Sequence, residues 1–266
     1  NIVSVPFYIN VGADSYLDGV DMSHAEFYEE LPDFAVQPTT SVPGPGTFLK
    51  VYQRLAREGA SEILSIHMAG SLSAMANSAR LAAEEFATIP VTVFDSGNLT
   101  LGTGLQVIAA AEAAAQGRTM AEIVALLDDM AARTYCFAAL DTLEFLRRSG
   151  RLSSFQWGLG SVLKIKPILK MNAGEAEMER VRTRNGALER VVALVEALGP
   201  LEKLVVVHTH APATKRADLR EQAAHLFPRG EPTMEAEVTP VIGAHIGPQA
   251  LGFVAVQAQP AEGAKS

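Results

Sequence analysis

The sequence predicts an α/β protein with two domains: an N-terminal domain with a parallel sheet covered by helices, and a C-terminal α+β domain with a mixed sheet. The length of 266 residues allows two ordinary domains. Strand-like and helix-like segments alternate through the first half, which is typical of a parallel sheet. In the second half, Ala173-Gly174 separates two adjacent strand-like segments and so predicts a hairpin. We expect domains at 1–133 and 134–259, followed by a frayed tail at 260–266.

Local patterns predict each element of the N-terminal domain. Apolar side chains at every second position of Ile2–Val11 predict a strand. Ser23 and Glu26 have the spacing of a capping box, which opens a helix. The remaining predicted elements are a helix around Phe48–Leu55 closed by Gly59, strand Glu62–His67, helix Ser73–Phe86, strand Pro90–Phe94, and helices Thr100–Gln116 and Met120–Arg133.

The pattern of the C-terminal domain is different, because strands there also follow one another directly. The predicted elements are strand Cys136–Leu140, short helix Thr142–Arg148, an irregular segment Ser149–Gly160, hairpin strands Pro167–Asn172 and Glu175–Thr183, helix Gly186–Leu198, strand Leu204–Thr209, helix Thr214–Phe227, and strands Thr233–Thr239 and Leu251–Gln257.

Composition excludes several classes of protein. With 22 Lys and Arg against 30 Asp and Glu, the net charge is −8, which argues against nucleic acid as the main partner. No apolar run approaches the ~20 residues of a membrane helix, so we expect no integral membrane association. The lone Cys136 excludes an internal disulfide framework and suggests a reducing compartment, so we expect a cytoplasmic protein.

The usual catalytic and cofactor motifs are missing from the sequence. Gly70-Ser-Leu-Ser-Ala74 lacks the second glycine of a nucleophile elbow, and Gly102-Thr-Gly104 lacks the third glycine of a dinucleotide-binding loop. His208-Thr-His210 places two imidazoles at a strand end, but no carboxylate or thiol companion is evident. We therefore predict no catalytic residue, no metal and no cofactor.

Three hydroxyl-bearing loops and one histidine are the candidate binding residues. Thr39-Thr40-Ser41, Ser71-Leu-Ser73 and Asp95-Ser96 are expected near strand ends and helix N-termini, where an anion is favoured. Each, taken singly, is more often an ordinary helix N-cap, and the occurrence of three together favours binding more than one alone would. His245 is expected in a turn flanked by Gly243 and Gly247, which would let a ligand approach closely, although a lone histidine is more often structural.

Positive charge is concentrated in one stretch of this acidic chain. Arg147–Arg184 contains nine basic and three acidic residues, a local charge of +6. Such a stretch is either a solvated face or a docking surface for a negative partner. For docking we favour Arg151, Arg182 and Arg184, which flank the irregular segment and the hairpin.

Seven motifs occur in register along the whole chain. They are Tyr16-Leu-Asp-Gly-Val-Asp-Met-Ser23, Thr40-Ser-Val-Pro43, Ser71-Leu-Ser73 with Asn77-Ser-Ala79, Asp95-Ser96, Asp141-Thr-Leu-Glu-Phe-Leu146 with Ser149-Gly-Arg-Leu152, Lys166-Pro-Ile168, and Ile242-Gly-Ala-His-Ile-Gly-Pro248. By these motifs the chain resembles the DegV family of bacterial fatty-acid-binding proteins. Two departures stand out: Ala74-Met75 replaces the family's Gly-Thr, and Gly44 replaces a serine. The resemblance also leads us to expect a strand and a helix ahead of Asn1, where the family normally starts.

The resemblance implies that a long-chain fatty acid lies between the two domains. Thr40, Ser73 and His245 match the positions that bind the carboxylate, with Ser41 as a neighbour. Four further residues are possible members of the pocket or its surroundings: Met75, Asn77, Asp95 and Ser96. The protein would then be a carrier without its own chemistry, which presents the carboxylate to a fatty acid kinase that forms an acyl phosphate.

A second hypothesis is a stand-alone hydrolase acting on an acyl ester. Ser73 would be the nucleophile and His245 the base, although the sequence shows no obvious group to orient the imidazole. Neither the length nor the unsaturation of the acyl chain follows from the sequence.

Overall fold

The structure, a computed structural model, describes residues 2–152, 165–230 and 234–259. Lys164, Thr233, residues 153–160 of the predicted irregular segment and the predicted tail lie outside these ranges. The first half of the chain contains β1 (Tyr8–Val11), β2 (Asp14–Leu17), α1 (His24–Glu30), β3 (Thr39–Ser41), α2 (Pro45–Arg57), β4 (Ile63–His67), α3 (Met75–Glu85), β5 (Val91–Asp95), α4 (Leu101–Ala115) and α5 (Met120–Arg133).

The second half follows α5 without an intervening residue. It contains β6 (Thr134–Ala139), α6 (Glu144–Arg148), β7 (Lys166–Asn172), β8 (Glu175–Val181), α7 (Arg184–Glu196), β9 (Leu201–His208), α8 (Ala213–Gln222), β10 (Glu235–Glu237), α9 (Pro240–Ile246) and β11 (Leu251–Gln257). No helix in the described ranges is long and apolar enough to cross a membrane.

The sheets confirm the predicted α/β class with a parallel and a mixed sheet. β4 and β5 pair in parallel, while the larger sheet has the order β10-β9-β11-β6-β7-β8. Only β10 and β9 run parallel within that larger sheet. The predicted hairpin is β7–β8, and both residues of its turn, Ala173 and Gly174, have positive φ, as a two-residue turn of this kind requires. The boundary between the domains stays a prediction.

The prediction for the first strand was wrong in two respects. The strand begins at Tyr8, not Ile2, and it pairs antiparallel with β2 and β3 instead of joining β4 and β5. Pro6 lacks the N–H that a continuous ladder needs. Residues 39–41, which we predicted to be a loop, form β3 because they find this partner about thirty residues away.

The six-stranded sheet carries apolar side chains on both faces. Along β9, Val205 and Val207 belong to one apolar cluster, and Leu204 and Val206 to another, because successive side chains point to opposite faces. Residues from α4 and α5 pack in the first cluster, and residues from α7 and α8 in the second. This sheet is therefore buried between two layers of helices.

The predicted glycine-flanked turn around His245 is instead the helix α9. Pro240 occupies its first turn, and Gly247, with φ +77°, follows its last residue. Two rings require the glycines: a Cβ at Gly243 would lie 2.4 Å from Tyr28 Oη, and one at Gly247 would lie 2.3 Å from Phe145 Cδ2. Both glycines therefore serve close packing of α9 against α1 and α6.

The β7–β8 hairpin touches two loops of the first half of the chain. Gly174 N donates to Gly97 O, and Ser71 Oγ donates to Gly174 O, each at 2.8 Å. The carboxylate of Asp95 holds these loops by accepting from Gly70 N and Gly97 N, each at 2.9 Å. These contacts fix the loop that leads to Ser73 against the second half of the chain.

Candidate functional site

Two of the predicted carboxylate-binding residues meet directly. Thr40 lies on β3 and His245 in the last turn of α9, and 2.8 Å separates Thr40 Oγ1 from His245 Nε2. Both side chains are half-buried. The contact joins residues 205 positions apart, so it depends on the packing of α9 against the small antiparallel sheet.

The environment of His245 favours a neutral imidazole with one free donor. Burial, and secondarily the charge of Arg151, lowers the pKa of His245 to about 4. When the Thr40 hydroxyl donates to Nε2, the single ring proton is on Nδ1. Nδ1 is buried, and no described residue is its hydrogen-bond partner. With this tautomer, Nδ1–H is an unused donor in a region where the nearby Arg151 favours negative charge.

Ser73 lies in the loop before α3, and its hydroxyl has a structural contact. Ser73 Oγ accepts a hydrogen bond from Met75 N at 3.2 Å, which forms an ST turn just before α3, whose N-cap is Ala74. No described contact joins Ser73 to Thr40 or His245. The nearest connection is indirect: Ser78 in α3 donates to Pro43 O at 2.7 Å. The carboxylate-binding role of Ser73 stays a prediction.

Ser41 does not join Thr40 at His245. Its side chain is exposed, and its hydroxyl accepts a hydrogen bond from Asn10 Nδ2 at 3.2 Å. Adjacent residues of a strand point to opposite faces, so Thr40 and Ser41 cannot both face α9. We correct the expectation that they act as neighbours in one site.

The residues predicted around the pocket have other surroundings. Met75 is 4% exposed and packs in the apolar cluster of α2 and α3, and Asn77 is exposed on α3. Asp95 holds the two loops described above. Ser96 is fully buried, and 2.8 Å separates its Oγ from Thr103 Oγ1. None of the four lines the cavity described next.

An apolar cavity begins one residue beyond His245. It lies between the six-stranded sheet, the start of α4 and the end of α9, and its volume of about 20 Å³ is room for about one water molecule. Its lining includes Leu99, Cys136, Ala138, Leu169, Val207 and Ile246. These side chains come from distant segments, so sequence patterns did not reveal the cavity.

The basic stretch is largely neutralised by its own neighbours. Two acidic residues, Asp141 and Glu144, lie just before it. Glu144 pairs with Arg147 at 2.8 Å and with Arg148 at 2.6 Å, and Asp141 pairs with Lys166 at 2.6 Å. Lys170 pairs with Glu177 at 2.8 Å.

The three arginines favoured for docking differ in how accessible they are. The side chain of Arg184 is 21% exposed, lies 3.6 Å from Asp141 and donates to Gln249 O; burial lowers the pKa of Arg184. Arg184 therefore stabilises the fold through these contacts, and we correct our expectation that it is a docking residue. Arg182 is exposed and Arg151 is half-buried near His245. A smaller basic surface remains than the sequence suggested.

The two histidines at the end of β9 do have carboxylate companions, contrary to our expectation. Glu237 Oε1 lies 3.1 Å from His210 Nδ1 and 3.9 Å from His208 Nδ1. Glu235 Oε1 lies 3.9 Å from His208 Nε2. The parallel pairing of β10 with β9 brings these carboxylates in. Across the described ranges, no group of three or more potential ligands could hold a metal ion.

The geometry of Ser73 and His245 gives no support to the hydrolase hypothesis. The described partner of His245 Nε2 is Thr40, and that of the Ser73 hydroxyl is Met75 N. No described carboxylate orients the imidazole, and a pKa of about 4 makes His245 a weak base at neutral pH.

Known proteins resemble the chain over nearly its whole length. The family model described as "Uncharacterised protein, DegV family COG1307" matches residues 1–258. A DegV domain-containing protein of Streptomyces coelicolor is 36% identical over 256 residues, covering 95% of this chain and 90% of the relative. A DegV domain-containing protein of Deinococcus radiodurans is 35% identical, covering 94% of this chain and 89% of the relative.

Two solved structures share both fold and sequence with the chain. One, described by the words "Fatty Acid Binding of a DegV family Protein from Thermus thermophilus", has a TM-score of 0.83 and 32% identity, covering 96% of this chain and 91% of its own. The other, "DegV, a fatty acid binding protein from Bacillus subtilis", has a TM-score of 0.84 and 29% identity with the same coverage.

Proposed function

Because the chain belongs to the DegV family, we propose that it binds a long-chain fatty acid whose carboxylate meets His245 and Thr40. The observation that carries the proposal is the buried Nδ1 of His245, which has no hydrogen-bond partner among the described residues. A carboxylate accepts hydrogen bonds only, so it complements a free N–H. The two structural neighbours support the same ligand, since each is described as binding fatty acids.

The acyl chain would provide most of the affinity. Burial of a methylene contributes ~0.8 kcal/mol, so a chain of about sixteen carbons contributes on the order of 10 kcal/mol before the costs of ordering. Hydrogen bonds from His245 and Ser73 would fix the orientation and keep the buried carboxylate paired, while Thr40, by donating to His245 Nε2, keeps the ring proton on Nδ1. This division of roles predicts that deleting one donor weakens binding without abolishing it.

We further propose that the protein is a cytoplasmic carrier that presents the carboxylate to a fatty acid kinase. The family resemblance supports this partner, and exposed Arg182 offers a basic contact on an otherwise acidic chain. Charges at the rim of a protein–protein interface act mainly on the rate of association. Arg182→Glu should therefore slow kinase-coupled phosphorylation at low salt, whereas Arg229→Glu, a change at another exposed arginine, should not. Equal rates for both variants would refute docking at Arg182.

Fatty acid binding itself is tested by calorimetry and native mass spectrometry. We expect a co-purifying fatty acid, and His245→Ala should weaken the binding of oleic acid by about ten- to a hundred-fold through loss of a charge-assisted hydrogen bond. His225→Ala is the matched control, because that side chain is 57% exposed and distant in the fold. The proposal fails if neither assay detects a bound acid, or if both variants bind oleic acid as the wild type does.

A further inference from the structure

The last turn of α9 contains a buried carbonyl that the helix itself cannot pair. The last backbone hydrogen bond of this helix runs from Gly247 N to Gly243 O, at 2.8 Å. The carbonyl of Ala244 would pair next with residue 248, but that residue is Pro248, which has no N–H. Ala244 is fully buried, so its carbonyl needs a partner from elsewhere in the chain.

That partner is the side chain of Gln37, which comes from the first half of the chain. Gln37 Nε2 donates to Ala244 O at 2.9 Å, across 207 positions of sequence. Only the amide nitrogen can make this contact, since a carbonyl accepts and cannot donate. The side chain is half-buried, and the buried Pro38 that follows it restricts Gln37 to an extended backbone. The donor is therefore held by a stiff segment.

The acceptor of this hydrogen bond is covalently linked to His245. The carbonyl carbon and oxygen of Ala244 lie in one planar peptide unit with the backbone N and Cα of His245. A bond that holds the oxygen therefore also holds the plane from which the His245 side chain extends. Thr40, three residues after Gln37, contacts the far end of the same histidine, with 2.8 Å between Thr40 Oγ1 and His245 Nε2. One short segment thus fixes both the backbone and the ring of His245.

Both contacts are needed to set the direction of Nδ1. The contact at Nε2 fixes one point of the imidazole, and the ring can pivot about that point unless the backbone end is held as well. Nδ1 is the buried atom with no hydrogen-bond partner among the described residues, and it is the atom that we assign to the carboxylate. A hydrogen bond weakens steeply once its angle falls below about 120°, so a tilt of the ring would misdirect Nδ1–H.

We propose that Gln37 is a positioning residue, which orients His245 toward the fatty acid carboxylate by donating a hydrogen bond to Ala244 O. This inference rests on the proposed function, because it assumes that the carboxylate meets His245. Gln37 acts through the backbone of His245: it arranges the donor before the ligand arrives, which lowers the cost of ordering on binding. The alternative, a bond that only stabilises the fold, predicts an effect on unfolding and none on the imidazole or the ligand.

The test compares Gln37→Met with the same substitution at a glutamine that makes the same kind of bond elsewhere. Methionine is similar to glutamine in length but cannot donate a hydrogen bond. Gln257 Nε2 donates to Leu198 O at 2.7 Å, just beyond the end of α7, so Gln257→Met is the matched control. Both variants should lower the urea midpoint by similar amounts. Only Gln37→Met should weaken the binding of oleic acid in calorimetry, by about five- to tenfold.

Nitrogen NMR of the His245 ring gives a readout that does not depend on the ligand. In the wild-type protein the ring should be a single neutral tautomer with its proton on Nδ1, because Thr40 donates to Nε2. Gln37→Met should convert it into a mixture of the two tautomers, and Gln37→Glu, which keeps the shape of glutamine but loses the donor, should do the same. Gln257→Met should leave the spectrum of the ring unchanged.

Three results would overturn the inference while leaving the proposed function intact. One is that Gln37→Met binds oleic acid as tightly as the wild type does. Another is that the ring keeps a single tautomer in this variant, or is already a mixture in the wild type. The third is that Gln257→Met weakens binding equally, because the loss would then follow from stability alone. If the wild-type protein binds no acid at all, the proposed function fails, and the inference fails with it.

Discussion

Gly243→Ala should destabilise the protein, even though alanine is the better helix former. The added Cβ would lie 2.4 Å from Oη, 2.6 Å from Cε1 and 2.7 Å from Cζ of Tyr28. The ring cannot easily withdraw. It stacks on His210 with 5.8 Å between centroids, and its hydroxyl donates to Val238 O at 2.7 Å. Either α9 or Tyr28 must therefore move.

The magnitude follows from three opposing contributions. Overpacking costs about 1–3 kcal/mol, and losing the hydrogen bond of Tyr28 costs about 1 kcal/mol. The higher helix propensity of alanine, compared with glycine, stabilises α9 by about 1 kcal/mol. The free energy of unfolding should thus fall by about 1–3 kcal/mol. Since α9 carries His245, the affinity for fatty acid should fall as well.

Urea unfolding with two further variants checks this reasoning. Gly46→Ala in α2 is the matched control, because no atom lies within 4 Å of the added methyl. It should raise stability by about 0.5–1 kcal/mol. Tyr28→Leu should remove the clash, so that Gly243→Ala costs much less in that background. The explanation is refuted if Gly243→Ala is equally costly with and without the ring.

Three other predictions concern pH, charge and binding. The free energy of unfolding should fall as the pH is lowered from 6.5 to 4, because burial lowers the pKa of both His67 and His245 to about 4 and these side chains take up protons in that window only in the unfolded chain. Each histidine contributes at most about 3 kcal/mol to this loss of stability. A urea midpoint that does not change over this pH range would contradict the prediction. Arg184→Glu should lower the melting temperature and Arg182→Glu should not, so equal melting temperatures would count against the buried role of Arg184. Ser73→Ala should weaken oleate binding by ~1.5–3 kcal/mol with little loss of stability; an unchanged dissociation constant would show that Ser73 only supports the turn before α3.

Elements set by local interactions could be predicted from the sequence. Ser23 and Glu26 form the predicted capping box, and Ala173-Gly174 forms the predicted hairpin turn. By contrast, β3 and α9 were missed because their partners are distant in sequence. The glycines of α9, for example, are explained by rings of Tyr28 and Phe145 that no local pattern connects to them.

The candidate site was predictable only in part, for the same reason. Motif positions identified Thr40 and His245, which the structure brings together. They could not reveal that Ser41 faces away, because the strand and its orientation were unknown. They also could not reveal that Arg184 pairs with Asp141 and donates a hydrogen bond to Gln249 O. Side-chain direction and ion pairing follow from tertiary packing, which a linear pattern does not encode.

The contact between Tyr28 and Val238 spans 210 residues and therefore has a consequence for synthesis on the ribosome. At about 5–20 residues per second, α1 emerges on the order of 10–40 s before the segment that covers it. During that interval the apolar side chains of Phe27, Tyr28 and Leu31, all buried in the folded protein, lack their partner helix. The nascent chain is thus exposed to aggregation at α1 until α9 has been made, and chaperones would have their natural target in α1.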